Sequence, residues 1–219
     1  MSSPLTADQM LRAYALGVFP MARQHDDARL YWVDPEKRGV LPLDRFHLPR
    51  SLRKVLARRR FELRVDTAFT EVMTLCAEST DRRPETWINE EIFRLFAELH
   101  QAGLAHSIES WQGGRLVGGL YGLSMGSAFF GESMFSRVTD ASKVALANLV
   151  ALLRKGGYSL LDTQFVTDHL AQFGTVEIPR RDYLRQLAQA LERPARFHGG
   201  LPPGEVLALL STQSTTPIS

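Results

Sequence analysis

Apolar and polar residues alternate along much of the second half of the chain, which indicates β-strands with one buried face. The segment FELRVD, residues 61–66, has this pattern, and HSIESW, RLVGGLYGL and SAFFGESMF follow as three closely spaced strands. The Gln112–Gly114 turn joins the first two of these as a hairpin. YSLLDTQF and VEI predict two further strands nearer the C-terminus.

Helical periodicity and end signals predict the remaining elements. A helix is expected over Thr6–Leu16, where Thr6 is a suitable cap, and Asn89 caps a second helix that ends at Gln101. AFTEVMTLCAE and RDYLRQLAQAL are also helical in pattern, and a short helix is expected near Asp168–Phe173. The segment Asp140–Arg154 is apolar over most of its circumference. It therefore predicts a helix that packs on the sheet on several sides.

The order of these elements predicts an α/β (α+β) fold. Two helices, three consecutive strands, a long helix, a strand and a helix resemble the acyl-coenzyme A N-acetyltransferase (GNAT) type. Residues 1–60 are expected to form a small N-terminal lobe, with extended pieces at Leu30–Val33 and Gly39–Leu41. Residues 61–195 are expected to form the catalytic domain. Residues 196–219 contain many Pro, Gly, Ser and Thr residues and are expected to form a flexible tail.

Composition limits the class of protein. The chain has 219 residues, 44% hydrophobic and 23% charged, which is typical of a soluble globular protein with its own core. A single cysteine, Cys76, excludes an internal disulfide and a CxxC zinc pattern, and it fits a reducing cytoplasm. No segment approaches the roughly 18 to 20 apolar residues of a membrane span, so no membrane association is expected. The six histidines show no metal-binding spacing.

Basic residues are concentrated between residues 50 and 64, although the net charge is only +2. A basic helix is predicted from Pro49 to Arg59. A cluster of this kind suits a polyanion such as the phosphate backbone of RNA, but it is also compatible with a solvated helix face. The sequence leaves both interpretations open. The cluster comprises Arg50, Arg53, Lys54, Arg58, Arg59, Arg60 and Arg64.

Two polar sites interrupt apolar strands. Asp162 and Gln164 are two residues apart on YSLLDTQF and are therefore expected to share a face. Glu132 lies among apolar and aromatic residues in FFGESMFSR, where its charge needs a cation or a donor. A substrate amine would supply that cation, and a salt bridge to Arg137 or Lys143 is the structural alternative. Asp162 and Gln164 likewise have two interpretations: a functional pair, or a structural pair that forms hydrogen bonds with a neighbouring loop.

Trp87 follows the loop STDRRPET and precedes a helix. A tryptophan at such a junction can stack on a nucleic-acid base, although it can also simply cover a core. Tyr14, Phe19 and Met21 could form an apolar wall opposite it.

Several motifs together resemble one family. RAYALGVFPMA, YWVDPEKRGVLPLDRFHLPRSLRK, FFGESMFSRVTDASKVAL, LDTQFVTDHLAQFG and EIPRRDYL are similar to segments of leucyl/phenylalanyl-tRNA–protein transferases. The similarity extends from about Leu11 to Leu187. It implies an enzyme that moves leucine or phenylalanine from its tRNA to proteins beginning with arginine or lysine. The product would be marked for degradation by the N-degron pathway.

The resemblance also implies roles for individual residues. Asp162, Gln164 and Glu132 would be catalytic, and Trp87 would stack on the terminal adenine of the tRNA. The family uses no coenzyme A, other cofactor or metal, and a cytoplasmic monomer is expected. Further substrate contacts would come from Tyr14, Met21, Met125, Phe130, Met134 and Ser136. The tRNA would be bound by Arg50, Arg53, Lys54, Arg58, Arg59 and Arg60.

Two positions depart from the family pattern. Met21 stands where many members have a tryptophan that sandwiches the adenine, so stacking is expected to be weaker or to involve Tyr14. Thr163 replaces a frequent cysteine, which indicates that this position is not chemical.

Three other functions remain to be weighed. A coenzyme A-dependent N-acetyltransferase should carry a glycine-rich pyrophosphate loop before the long helix, whereas this chain has SRVTDASK. Ligases that build peptidoglycan cross-bridges from aminoacyl-tRNA are usually about twice as long. A non-enzymatic RNA-binding module would explain the arginine cluster but not Glu132 or the Asp162–Gln164 pair.

Overall fold

The computed structural model describes residues 5–25, 27, 29–79, 86–202 and 204–211. The helices of these residues are α1 (Ala7–Ala15), α2 (Arg50–Ala57), α3 (Phe69–Ala77), α4 (Glu90–Gln101), α5 (Ala141–Gly156), α6 (Asp168–Ala171), α7 (Arg180–Leu191) and α8 (Glu205–Ser211). The strands are β1 (Phe19–Ala22), β2 (Leu30–Val33), β3 (Lys37–Val40), β4 (Glu62–Val65), β5 (Ala105–Gln112), β6 (Arg115–Met125), β7 (Ala128–Ser136), β8 (Leu160–Gln164) and β9 (Val176–Pro179).

A seven-stranded mixed sheet organises the protein, in the order β4-β5-β6-β7-β8-β3-β9. Strands β4 to β7 are antiparallel neighbours in chain order, and the hairpin predicted at Gln112–Gly114 joins β5 and β6. The β7–β8 pair is parallel, and α5 forms the crossover between the two strands. This arrangement confirms the α/β class expected from the sequence.

Strand β3 ties the N-terminal segment to the main sheet. It lies between β8 and β9 and is antiparallel to both. Four residues of the expected N-terminal lobe, Lys37–Val40, are therefore part of the large sheet. The smaller sheet contains only β1 and β2. Pro35 and Pro42 flank β3, and the sequence between them indicated a short extended piece. It did not indicate which strands this piece pairs with.

Helices cover both faces of the large sheet. One core cluster lies between the sheet and α5, and another lies on the opposite face with residues of α1, α3, α4 and α7. Neighbouring residues of β7 illustrate the division, because Phe129 belongs to the first cluster and Phe130 to the second. The buried residues of α5 run almost without interruption from Ala141 to Leu153, as its apolar circumference predicted.

The predicted helix ends are confirmed at α1 and α4. Thr6 and Gln9 form a reciprocal capping box, and the Asn89 side chain accepts a hydrogen bond from the Ile92 amide. Two elements were not predicted. β1 was missed because four residues that include Pro20 give little strand pattern. α8 lies within the expected tail, yet its Val206 and Leu210 are buried against the α5 side of the core.

Candidate active site

A cavity of about 280 Å³ lies where the parallel strands stop pairing. The β7–β8 ladder ends at the Phe130–Asp162 pair, and both strands then continue along the cavity. Its remaining walls include Leu146 and Leu149 of α5, together with Trp87. A crevice at the end of a parallel pair is a common place for ligands in α/β folds.

β-Bulges shape both strands at this point. Tyr121 of β6 pairs with Ser133, and Gly122 pairs with Gly131, so Glu132 is an extra residue in β7. In the same way, Thr163 is an extra residue in β8 opposite β3. A bulge interrupts the alternation of side chains and can redirect one of them toward a binding site. Both extra residues line the cavity.

A tight turn follows immediately at Gln164. Its φ is +62°, and the Phe165 amide donates to the Thr163 carbonyl at 2.6 Å, which defines a γ-turn centred on Gln164. This conformation is strained for a residue with a side chain and requires support from its surroundings. Gly39 of β3 permits the turn, because a Cβ atom there would lie 2.6 Å from the Phe165 carbonyl carbon.

Glu132 is buried against the cavity with one oxygen satisfied. Its Oε1 accepts hydrogen bonds from the Tyr14 hydroxyl at 2.8 Å and from Gln164 Nε2 at 3.1 Å. Its Oε2 is buried and has no hydrogen-bond partner among the described residues. Burial raises the pKa of the Glu132 carboxyl to about 7, although the bonds from Tyr14 and Gln164 act in the opposite direction.

The salt bridges considered for Glu132 do not form. Arg137 pairs with Glu78, and Lys143 pairs with Asp140 at 3.1 Å. The structural alternative is therefore wrong for these two partners. A buried carboxylate oxygen without a donor is costly, which makes Glu132 Oε2 a candidate position for contact with a ligand.

Asp162 is fully buried and is not among the residues that line the cavity. Arg38 approaches both carboxylate oxygens, with Nε at 3.0 Å from Oδ1 and Nη2 at 2.7 Å from Oδ2. The Tyr183 hydroxyl donates to Oδ2 at 2.6 Å, and the Gln164 backbone amide donates to Oδ1 at 2.7 Å. These contacts hold the carboxylate on both oxygens.

The prediction that Asp162 and Gln164 share a face is corrected by this geometry. It assumed a regular strand, whereas the bulge and the γ-turn break the alternation between the two residues. The Gln164 side chain extends to Glu132 at the cavity, while the Asp162 carboxylate bonds Arg38 and Tyr183. The contact between the two residues is instead a hydrogen bond from the Gln164 backbone amide to the Asp162 carboxylate.

Arg38 was not identified from the sequence. Its guanidinium lies 4.4 Å from the centre of the Phe19 ring and 4.6 Å from that of Tyr183, and its Nη1 donates to the Gly17 carbonyl at 3.0 Å. Burial opposes its charge, but the hydrogen bonds and charge of Asp162 keep the Arg38 pKa above its ordinary value. The extended piece expected from the sequence began at Gly39, one residue after Arg38, so no pattern indicated that Arg38 lies in a strand.

The predicted substrate residues divide into two groups. Trp87, Met21 and Met134 line the cavity together with Glu132 and Gln164. The Ala22 amide donates to the Trp87 carbonyl at 3.3 Å, which connects β1 to the segment before α4. Residues 80–85 of the loop before Trp87 lie outside the described residues.

The second group does not line the cavity. Tyr14 is fully buried and supports Glu132, so it cannot serve as an exposed stacking surface. Phe130 packs edge-on against Tyr14 in the core. Met125 is partly buried at the far end of β6, where it pairs with Ala128, and Ser136 is exposed and bonds the Val138 carbonyl.

The basic helix is confirmed as α2, Arg50–Ala57. Leu52 is its only buried residue, and it packs on the α5 side of the core. Arg53 donates to the Ser211 hydroxyl of α8 at 2.9 Å. The remaining surface is strongly basic, because six side chains are exposed on α2 and the turn after it: Arg50, Arg53, Lys54, Arg58, Arg59 and Arg60.

Within the described ranges, no three His, Cys, Asp or Glu side chains are grouped so that they could hold a metal ion. None of the helices formed by the described part of the chain is both long and apolar enough to cross a membrane. Cys76 is buried in the core.

Comparison with known proteins adds an independent result. Residues 40–188 match the family model for leucyl/phenylalanyl-tRNA protein transferase, and residues 3–36 match the model for its N-terminal domain. A protein of that name from Paramagnetospirillum magneticum is 66% identical over 194 residues, which cover 89% of this chain and 93% of the relative. A second, from Rhodospirillum rubrum, is 57% identical over 210 residues, 96% of this chain and 98% of the relative. The chain belongs to the leucyl/phenylalanyl-tRNA–protein transferase family.

Proposed function

We propose that this protein transfers leucine or phenylalanine from charged tRNA to the α-amino group of proteins that begin with arginine or lysine. Membership of the family makes the chain an aminoacyltransferase that uses aminoacyl-tRNA. One structural observation supports the proposal above the others. Glu132 presents a buried oxygen without a partner among the described residues at an otherwise largely apolar cavity, which suits a ligand that combines an amine with an apolar side chain.

The cavity walls fit the aminoacyl group. Met134, Leu146, Leu149 and Leu170 provide an apolar surface for an unbranched Cβ, as in leucine and phenylalanine. A residue branched at Cβ would be disfavoured by shape, at about 1 to 3 kcal/mol for each misplaced methyl group. Trp87 lines the same cavity, and its indole is the proposed platform for the terminal adenine.

The chemistry requires positioning more than activation. The aminoacyl ester is already reactive, and a protein α-amino group has an unperturbed pKa of about 7.7 to 8.0, so part of it is neutral near pH 7. Glu132 is the carboxylate of the cavity wall and is placed to bind the substrate amine and to accept its proton. Gln164 orients Glu132 through its Nε2 hydrogen bond. Asp162 does not line the cavity, and it supports Gln164 by accepting a hydrogen bond from the Gln164 backbone amide.

The finer assignments follow from the same reaction. The parallel β7–β8 pair, the α5 crossover and the cavity at the end of the ladder support an N-acetyltransferase-type fold. We further propose that the protein acts as a cytoplasmic monomer, because charged tRNA is its substrate and one chain supplies the whole described site. Its products would enter the N-degron pathway.

The rival functions fit less well. The segment before α5 carries the Asp140 carboxylate, paired with Lys143, where coenzyme A pyrophosphate would need glycine amides. An RNA-binding module without enzymatic activity would have no need to bury Glu132 beside a cavity. The basic α2 surface is compatible with both RNA binding and the proposed transfer.

A direct assay tests the proposal. The protein is incubated with radiolabelled leucyl-tRNA and a peptide that begins with arginine, and the label in peptide is measured. The same peptide with an acetylated N-terminus is the matched control, and labelled acetyl-coenzyme A replaces leucyl-tRNA in a second arm. We expect label only with leucyl-tRNA and the free N-terminus. Transfer of the acetyl label, or equal labelling of the blocked peptide, would refute the proposed reaction.

A further inference from the structure

We infer that Arg38 is a positioning residue, which together with Tyr183 fixes the place of Gln164 in the cavity by anchoring Asp162. The inference rests on the proposed function, because it gives Arg38 a purpose in the transfer reaction. Neither Arg38 nor Tyr183 is among the residues that line the cavity. Their influence must therefore pass through other residues.

The first step is the hold of Arg38 on Asp162. Arg38 is 1% exposed and Asp162 is fully buried, and the guanidinium donates hydrogen bonds to both carboxylate oxygens. Two aromatic rings enclose the guanidinium, and the Gly17 carbonyl accepts from Nη1. Because the guanidinium is fixed on several sides, it determines where the Asp162 carboxylate lies as well as balancing its charge. A lysine ammonium could not reproduce the fork.

The second step is the hold of Asp162 on the γ-turn. Its Oδ1 accepts from the Gln164 amide at 2.7 Å, inside the segment where φ is +62°. A strained backbone of this kind persists only when surrounding contacts outweigh its cost of about 1 to 3 kcal/mol. The anchored carboxylate supplies one such contact, and Gly39 supplies the space on the other side.

The third step reaches the cavity. Gln164 Nε2 donates to Glu132 Oε1 at 3.1 Å, so a rotation of the γ-turn would remove this bond. Glu132 would keep the Tyr14 hydroxyl as a donor but lose one of the groups that fix its orientation. A continuous series of hydrogen bonds thus leads from Arg38 to the carboxylate that meets the substrate. A displacement of about 1 Å in such a group can lower turnover by about 10²-fold.

The same arginine also holds the N-terminal segment. Gly17 and Phe19 contact Arg38, and Met21, two residues further along β1, lines the cavity. The position of the cavity wall on that side is therefore set by the residue that fixes Gln164. A buried ion pair alone is a poor source of stability compared with apolar packing, which favours a positional role for this one.

Arg38→Lys provides the central test, because it keeps the charge and removes the fork. We expect kcat for transfer from leucyl-tRNA to fall by about 10- to 100-fold, while KM for leucyl-tRNA changes by less than about threefold. Tyr183→Phe should lower kcat less, because the fork remains. Arg154→Met is the control: it removes a partly buried arginine that donates to the Leu43 and Leu209 carbonyls, and none of these three residues lines the cavity. It should lower stability without changing kcat.

A second measurement does not depend on transfer. Glu132 faces Tyr14, Gln164, Asp162 and Arg38, and the Gln164 hydrogen bond lowers the pKa of its carboxyl. In Arg38→Lys we expect the Glu132 pKa to move above about 7, as followed by carboxyl-carbon NMR during titration. In Arg154→Met it should not move. This arm tests the inference even if the wild-type protein fails to transfer leucine, a result that would overturn the proposed function alone.

The double variant Arg38→Met, Asp162→Asn separates position from charge. It removes both charges, so it should unfold at a higher urea concentration than Arg38→Met alone. We expect its kcat to remain as low as that of Arg38→Met. Recovery of wild-type kcat in the double variant would show that Arg38 only neutralises Asp162. Near-normal kcat and an unchanged Glu132 pKa in folded Arg38→Lys would overturn the inference directly.

Discussion

Replacement of Glu132 by glutamine should make the protein's stability less dependent on pH. The Glu132→Gln side chain keeps one oxygen to accept from Tyr14 and Gln164, as Oε1 does now. It replaces Oε2, which has no partner among the described residues, by an amide group that cannot ionise. The substitution therefore removes one titration and leaves the shape almost unchanged.

The magnitude follows from the pKa of Glu132, which burial raises from 4.5 to about 7. Between these two values the folded protein binds a proton that the unfolded chain has already released, so the free energy of unfolding falls as the pH rises. The loss begins near pH 4.5 and is complete above pH 7. At about 1.4 kcal/mol for each pH unit, it amounts to roughly 3 kcal/mol in total.

Urea unfolding of both proteins at several values between pH 5 and pH 8 measures this effect. The stability of Glu132→Gln relative to wild type should increase by about 2 to 3 kcal/mol across that range. The new amide donor lacks a partner among the described residues and will cost about 1 to 3 kcal/mol at every pH, so only the slope is diagnostic. A difference that stays constant from pH 5 to pH 8 would refute the assignment of a raised pKa to Glu132. Leucine transfer by Glu132→Gln should be impaired at every pH.

Other substitutions test separate parts of the site. Trp87→Ala should raise KM for leucyl-tRNA by the equivalent of about 1 to 3 kcal/mol, and Trp87→Phe should retain much of the activity in steady-state assays. If tRNA binding is intact in folded Trp87→Ala, the residue is part of the core only. Alanine at three exposed positions of α2 should reduce the slope of log affinity against log salt by roughly one for each phosphate that is no longer neutralised, without selectivity among tRNAs. The three positions are Arg50, Arg53 and Lys54. An unchanged slope would mean that α2 is only a solvated helix face. Gly39→Ala should lower both urea midpoint and kcat, because its Cβ would meet the Phe165 backbone, whereas Gly199→Ala, with open space around it, should change neither. Equal behaviour of the two glycine variants would contradict the role given to the γ-turn.

The sequence was informative wherever a local pattern determines the structure. The capped ends of α1 and α4, the apolar circumference of α5 and the hairpin between β5 and β6 were all predicted. Glu132 could be selected as a candidate site residue for the same reason, since a carboxylate among aromatic residues needs a partner. Its rival explanation, a salt bridge to Arg137 or Lys143, could be rejected only after their own partners were known.

Contacts between distant segments were not predictable in this way. Asp162 meets Arg38 across 124 positions of sequence, and no periodicity in either segment indicates the other. The bulge at Thr163 and the γ-turn at Gln164 break the period-two rule that was used to place both side chains on one face. Asp162→Asn would leave Arg38 buried without its ion pair. It should therefore destabilise the protein by about 3 to 5 kcal/mol as well as slow transfer.

The position of β3 in the sheet also determines when the protein can become active during synthesis. Val40 pairs with Asp162 on one side and with Val176 on the other, so β3 of a growing chain lacks its first partner until β8 has emerged from the ribosome and its second until β9 has emerged. The β5–β6 and β6–β7 pairs need only neighbours in sequence and can form earlier. Arg38 must then remain unburied for most of translation. A nascent chain released before residue 176 would contain Glu132 and Trp87 but would lack β9, the second partner of β3 in the sheet.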